Sequence, residues 1–240
     1  MNKIQGDYPA EEIYHVLKKR RHVYEYDTDN VPEKQLIEDL LWKAWKVTPS
    51  KNNFIPYNCY VLGPDKQDEK DEMWLISAVH KDRTDTKDSF LFHPNRSKYV
   101  KAKNPYFKHL STAPYMLVFT QRICKPNKYH VISKEKNGDY FEQMHPNKLG
   151  TILDTTALEV GMWMANLSAF ALEKGLNTSV IKCHPGPEKM ASWHLFPWIK
   201  YPVVCIATIG KAKTLRREVM TEEENEGDKK PEPEEIIKWI

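Results

Sequence analysis

Four consecutive cations, Lys18, Lys19, Arg20 and Arg21, precede His22 near the start of a chain of 240 residues. Arg20 and Arg21 bring guanidinium forks that match a phosphate dianion, where a lysine brings only a point charge. A basic cluster at one spot fits a phosphate site better than it fits a stripe tracking nucleic acid, and it equally fits a solvated helix end. Pro49, Ser50 and Asn53 share a polar stretch of residue types common in turns. Cys183 and His184 place two metal-ligand types side by side, with no second pair to complete a zinc site, so no metal is expected. There is no G-x-G-x-x-G after the first strand and no P-loop, which argues against a Rossmann dinucleotide site.

The composition is that of a globular protein, with 40% hydrophobic and 29% charged residues and 7 Trp and 12 Tyr. That aromatic content suits contact with a flat ligand or a second subunit, and also suits ordinary core filling. A net charge of +3 is too small to argue for nucleic acid. The charge is uneven, with Glu222, Glu223, Glu224 and Glu226 crowding the tail opposite the N-terminal cations. Cys59, Cys124, Cys183 and Cys205 form no CxxC pair and no leader segment is recognisable, so a reducing, cytoplasmic setting is expected. The longest apolar stretch, 157–172, is interrupted by Glu159, Asn166 and Ser168, and no membrane partner is expected.

The periodicity predicts helices over 9–19 and from Pro32 to about Thr48, the second with a wide apolar face built from Leu36, Ile37, Leu40, Leu41 and Ala44. A polar loop at 50–53 leads to a strand over 58–62. Residues 63–71 read as a turn and a solvated charged run, and 80–104 as an irregular excursion that would serve as a lid. Strands follow over 115–121 and, more weakly, 128–133. The strongest helix spans 154–173, apolar nearly all round and closed by Gly175, so most of its surface must be covered by core or by a second subunit. A last strand, 203–209, precedes a polar tail at 211–240. The order predicts an α+β domain over 1–240, a sheet flanked by helices.

Four segments, in order, resemble the nitroreductase family of flavoproteins. Arg20-Arg21-His22-Val23-Tyr24-Glu25-Tyr26 is similar to its opening RRSxRxF motif, and Thr48-Pro49-Ser50 through Asn53-Phe54-Ile55-Pro56-Tyr57 to its PSxxNxQPW loop. The helix ending Gly175-Leu176-Asn177-Thr178 resembles the central helix and its GLGT close. Ile209-Gly210 and the later Glu234-Glu235-Ile236-Ile237 resemble the closing pattern. The resemblance implies a nitroreductase-like fold with a central, mainly antiparallel sheet, a long central helix at a dimer interface, and flavin mononucleotide (FMN) held between subunits. It places Arg20, Arg21, His22 and Tyr24 at the FMN phosphate and pyrimidine end. His22 stands where the family has Ser, Tyr24 where it has Arg, and Ile55 where it has Gln. Pro49, Ser50 and Asn53 would line the flavin; Val180, Ile181 and Lys182, in a loop over 179–183 after the long helix, would pass near flavin N5, with Lys182 also placed to steer an anionic substrate. Asn104 and Lys108 would meet the ribityl or pyrimidine. A further basic pair would come from the tail, Lys229 and Lys230 in preference to Arg216 and Arg217.

The implied activity is an NAD(P)H-dependent FMN oxidoreductase, taking NADPH or NADH as donor and reducing nitroaromatic, quinone or other electron-poor small molecules by a ping-pong mechanism. The flavin carries the chemistry and no side-chain catalyst is demanded. Reductive dehalogenation, flavin breakdown, or flavin binding without turnover are the alternatives, the last motivated by His22, Tyr24 and Ile55.

Overall fold

The computed structural model describes residues 10–50, 53–82, 108–122, 128–137, 152–181, 196–223 and 230–237. In chain order these form α1 (Ala10–Lys18), β1 (Val23–Tyr26), α2 (Lys34–Val47), β2 (Tyr57–Leu62), α3 (Gln67–Asp82), α4 (Lys108–Thr112), β3 (Tyr115–Gln121), α5 (Lys128–Asn137), α6 (Ile152–Glu173), β4 (Asn177–Ile181), β5 (Val203–Gly210), β6 (Ala212–Leu215), α7 (Arg216–Val219) and α8 (Pro233–Ile236). The expected α+β class is found.

Four strands make one antiparallel sheet in the order β2-β3-β5-β4. Every residue of β3 and β5 is buried, because both strands are central and covered on both faces. Continuous apolar runs such as Tyr115–Phe119 are what two-sided burial requires. Tyr57, Tyr115, Leu117 and Phe119 face α2 and α6, packing with Ile37, Leu40, Trp163 and Leu167. Met116, Val118 and Ile206 face the other side, against Met73, Trp74, Leu110 and Phe196. Phe119, fully buried and edge-on to Trp163 at 4.7 Å, is central to the first layer; Phe119→Ala there costs about 3–5 kcal/mol.

A second, two-stranded sheet pairs β1 with β6, antiparallel, Val23 opposite Leu215 and Tyr26 opposite Ala212. Side chains latch it to the main sheet. Ser179 Oγ accepts the Val23 N–H at 3.1 Å, and the Tyr26 hydroxyl lies 2.9 Å from Thr208 Oγ1. At Gly210 the chain passes so close to the Pro114 ring and Tyr26 that a Cβ would overlap them.

Three sequence expectations change. Residues 128–133 lie in helix α5, not a strand: the helix formers Lys134, Glu135 and Lys136 extend the segment to 10 residues. The charged run before Asp71 opens α3, where Lys70 turns inward and donates its Nζ to Ala113 O at 2.9 Å and Pro114 O at 3.2 Å. Residues 179–181, expected as a loop, lie in edge strand β4. The excursion at 80–104 falls outside the described residues beyond Asp82. Among the described residues no helix is long and apolar enough to cross a membrane.

Candidate functional site

The basic tetrad divides by role at the end of α1. Lys18 lies over the Tyr14 ring at 5.8 Å. Arg21 turns back on the helix, donating Nη1 to Lys18 O at 2.6 Å and Arg20 O at 2.8 Å, so its guanidinium satisfies carbonyls of the helix end. Arg20 instead lines a pocket of about 500 Å³, together with His22.

The far wall of that pocket is one stripe of α6: Ala157, Val160, Gly161, Met164, Ala165 and Ser168. Small residues at 157, 161 and 165, four apart, recess the helix surface; nothing lies within 4 Å of where a Gly161 Cβ would stand. That spacing was the sequence signal for the wall, hidden inside a helix that reads as uniformly apolar. Leu17 of α1, Val180 and Thr178 of β4 and Val204 and Cys205 of β5 complete the lining. The Ser168 and Thr178 hydroxyls lie 2.6 Å apart, so the polar groups of this wall engage each other. The result is a slot with apolar walls and a cationic end.

His22 is half-buried, and its ring meets His109 of α4 edge-on at 4.9 Å. His109 is buried, and desolvation, with His22 and Arg216 beside it, pushes its pKa down to about 3. It is therefore neutral around pH 7. Arg216 comes close because β6 returns the chain along β1, and its backbone N–H donates to His22 O at 2.9 Å. Sequence reasoning missed His109, which is brought here only by tertiary packing. Tyr24, half-buried on β1, is not part of the pocket lining.

The loop after α2 lies elsewhere. Pro49, Ser50 and Asn53 do not line the pocket. Thr48 Oγ1 accepts from Asn166 Nδ2 at 3.0 Å, which fastens the loop to α6 on a different stripe from the pocket. Asn166 follows pocket-lining Ala165, a turn of about 100° around the helix. Beside this loop sits a buried group, Tyr57, whose hydroxyl has no hydrogen-bond partner among the described residues and whose pKa is pushed up to about 12 by burial and by the Glu159 carboxylate, against the opposing pull of Arg122.

Of the remaining predicted residues, Ile181 sends its side chain into the core, while Val180 is exposed in the pocket wall. As the edge strand, β4 leaves alternate backbone N–H and C=O groups directed away from β5. Lys230 is exposed and does not line the pocket. Lys108 opens α4. Asn104, Lys182, Cys183, His184 and Lys229 lie outside the described residues. Among the described residues no three His, Cys, Asp or Glu side chains cluster as metal ligands would.

A family model for the Nitroreductase family matches residues 17–211. Among solved structures, a nitroreductase-like protein from Streptococcus mutans shares 17% identity, covering 92% of this chain and 99% of its own, with a TM-score of 0.56. A candidate nitroreductase from Exiguobacterium sibiricum, in complex with FMN, shares 18%, covering 91% and 97%, with a TM-score of 0.56. A candidate NAD(P)H:FMN oxidoreductase from Staphylococcus epidermidis shares 18%, covering 89% and 93%, with a TM-score of 0.53. No curated protein sequence matches the chain at a significant level.

Proposed function

The chain belongs to the nitroreductase family, and on that footing we propose that it is an NAD(P)H-dependent FMN oxidoreductase that holds FMN in the pocket beside α6 and acts as a homodimer. The observation that carries the reading is the pocket itself, with Arg20 and His22 at one end of an apolar slot about 500 Å³ in volume. The donor set fits FMN: a guanidinium and an imidazole suit a phosphate dianion, and the recessed Ala157-Gly161-Ala165 stripe suits a flat ring.

Arg20, still exposed in the single chain, binds the phosphate and gains geometry from its fork. His22 adds a hydrogen bond where the family has Ser, and Arg216 adds positive charge beside it. The outward backbone groups of β4 give donors to the ring edge, where fixed dipoles stabilise charge that develops on reduction. The walls from Val160, Met164 and Val204 exclude water. The chemistry FMN supplies when bound is hydride exchange, with NADPH or NADH as donor and nitroaromatics, quinones or similar electron-poor molecules as acceptors in ping-pong alternation. No side chain is required as acid or base.

The exposed stripe of α6 supports the homodimer reading. Leu158 is 64% exposed, and Gly161 and Ala165 are exposed too, on a helix whose opposite face, with Val160, Trp163, Met164 and Leu167, is buried. A second copy packed there covers that stripe, and brings the Pro49–Asn53 loop of one copy to the pocket of the other, which a single chain does not do.

Titrating the apoprotein with FMN and with riboflavin, followed by flavin fluorescence, tests the site. FMN is expected to bind about 10–100-fold more tightly, the worth of a charge-assisted phosphate contact. Equal affinities would remove the phosphate role of the Arg20 end.

A further inference from the structure

The loop between α2 and β2 holds two residues in the left-handed region, Asn53 at φ 54° and Ile55 at φ 50°. Asparagine visits that region readily, but a residue branched at Cβ does so only under constraint. The constraint is visible. Arg122, immediately after β3, donates Nη2–H to Phe54 O at 2.7 Å and Nε–H to Ile55 O at 3.0 Å. Its backbone N–H donates to Pro56 O at 2.9 Å. Three successive carbonyls of the loop therefore converge on one arginine. From the other side Ser50 Oγ accepts the Ile55 N–H at 2.9 Å, and Ser50 O accepts the Asn53 N–H at 3.1 Å.

Strained backbone persists where its surroundings over-determine it, and such places concentrate at functional sites. A planar fork fixes the spacing and orientation of two carbonyls at once, which an ammonium cannot do. We infer that Arg122 is a positioning residue, its guanidinium fork holding Asn53 and Ile55 in the left-handed shape with which the loop meets the flavin. Arg122 itself does not line the pocket. It acts through residues 53–56, setting how well they meet the FMN of the second copy, and in this the inference rests on the proposed FMN site and homodimer. Ile55 then serves as a spring: without the fork it relaxes toward ordinary extended backbone and takes the loop with it.

The test uses the full chain with Arg122→Gln, Arg122→Lys and the double variant Arg122→Gln/Ile55→Gly. Hydrogen exchange is measured on the apoprotein, and FMN affinity by fluorescence. In Arg122→Gln the Asn53 and Ile55 amides are expected to exchange about tenfold faster or more, with β3 and β5 unchanged. FMN affinity is expected to fall about tenfold, the loss of two charge-assisted bonds felt indirectly. Adding Ile55→Gly is expected to restore FMN affinity to within about threefold of wild type, because glycine adopts φ near 50° without steric cost. Arg122→Lys, which keeps the charge and loses the fork, should fall between, and it carries the test if Arg122→Gln does not fold.

Unchanged loop exchange in a folded Arg122→Gln protein would overturn the inference, as would a failure of Ile55→Gly to rescue FMN binding. If wild type takes up no FMN while the loop still loosens in Arg122→Gln, the clamp stands and the flavin reading falls.

Discussion

At the pocket beside α6, Arg20 is exposed and His22 half-buried, both on the rim of the slot. At the loop after α2, by contrast, Ser50 and Arg122 between them engage the backbone of residues 53–56 with five hydrogen bonds. The two regions thus prepare a site in different ways. The pocket supplies charge and volume that a ligand must organise; the loop supplies a shape already fixed before any ligand arrives. Preorganisation of that kind lowers the ordering cost of binding, while the exposed cation keeps its attraction for a charged group. The two meet different stripes of the same helix, and in the proposed homodimer a second copy brings them together.

Leu158→Glu attacks that last point and is expected to have the largest effect. Placing a carboxylate at the exposed centre of the α6 stripe should weaken self-association by about 2–4 kcal/mol, converting dimer to monomer in sedimentation analysis. An unchanged dimer would move the interface away from α6. Arg20→Ala separates the pocket's charge from its volume. FMN affinity should fall by about 1.5–3 kcal/mol while riboflavin affinity stays put. Arg21→Ala, which removes only the contacts to the end of α1, should change FMN affinity by less than about threefold.

Acid should act on the pocket side through His109. The unfolded imidazole takes up a proton as pH falls below 6.5, whereas the folded one resists until about 3. Stability is therefore full above pH 6.5 and declines as pH falls toward 3, by up to about 1.4 kcal/mol per pH unit. Urea midpoints measured from pH 7.5 down to 4.5 should show that slope, and His109→Gln should flatten it; a slope unchanged in the variant would assign the acid sensitivity to other groups. Ser50→Ala is the smallest expected loss of stability. Losing the acceptor for the Ile55 N–H should cost about 1 kcal/mol of stability by chemical denaturation and leave riboflavin-to-FMN selectivity intact.

How far the sequence reached differs between the same regions. Strands β3 and β5 and helix α6 were legible because their apolar patterns are long and two-sided burial leaves few alternatives. The tetrad was legible as a basic cluster, but its division of labour was not: that Arg21 satisfies helix carbonyls while Arg20 faces the slot depends on side-chain direction at a helix end. The wall of the pocket was written as Ala157, Gly161 and Ala165, yet such spacing becomes meaningful only once the helix is known to carry a covered and an uncovered face. Edge strand β4 reads as loop because the polar run Asn177, Thr178 and Ser179 comes just after Gly175 and Leu176, and its pairing with β5 is set by tertiary contacts. His109, Arg122 and Lys70 were invisible as site or support residues. Each acts by reaching a partner at least 43 positions away, and local propensity holds no trace of that.

The central claim, that this chain holds FMN and exchanges electrons through it, is met most directly by one spectrum. The purified protein, loaded with FMN and kept anaerobic, is scanned before and after adding NADPH or NADH. Bleaching of the flavin absorbance in the visible range, with recovery when a quinone or nitroaromatic is admitted, is the predicted result. A protein that takes up no FMN, or one whose bound FMN stays oxidised with both donors, would contradict it.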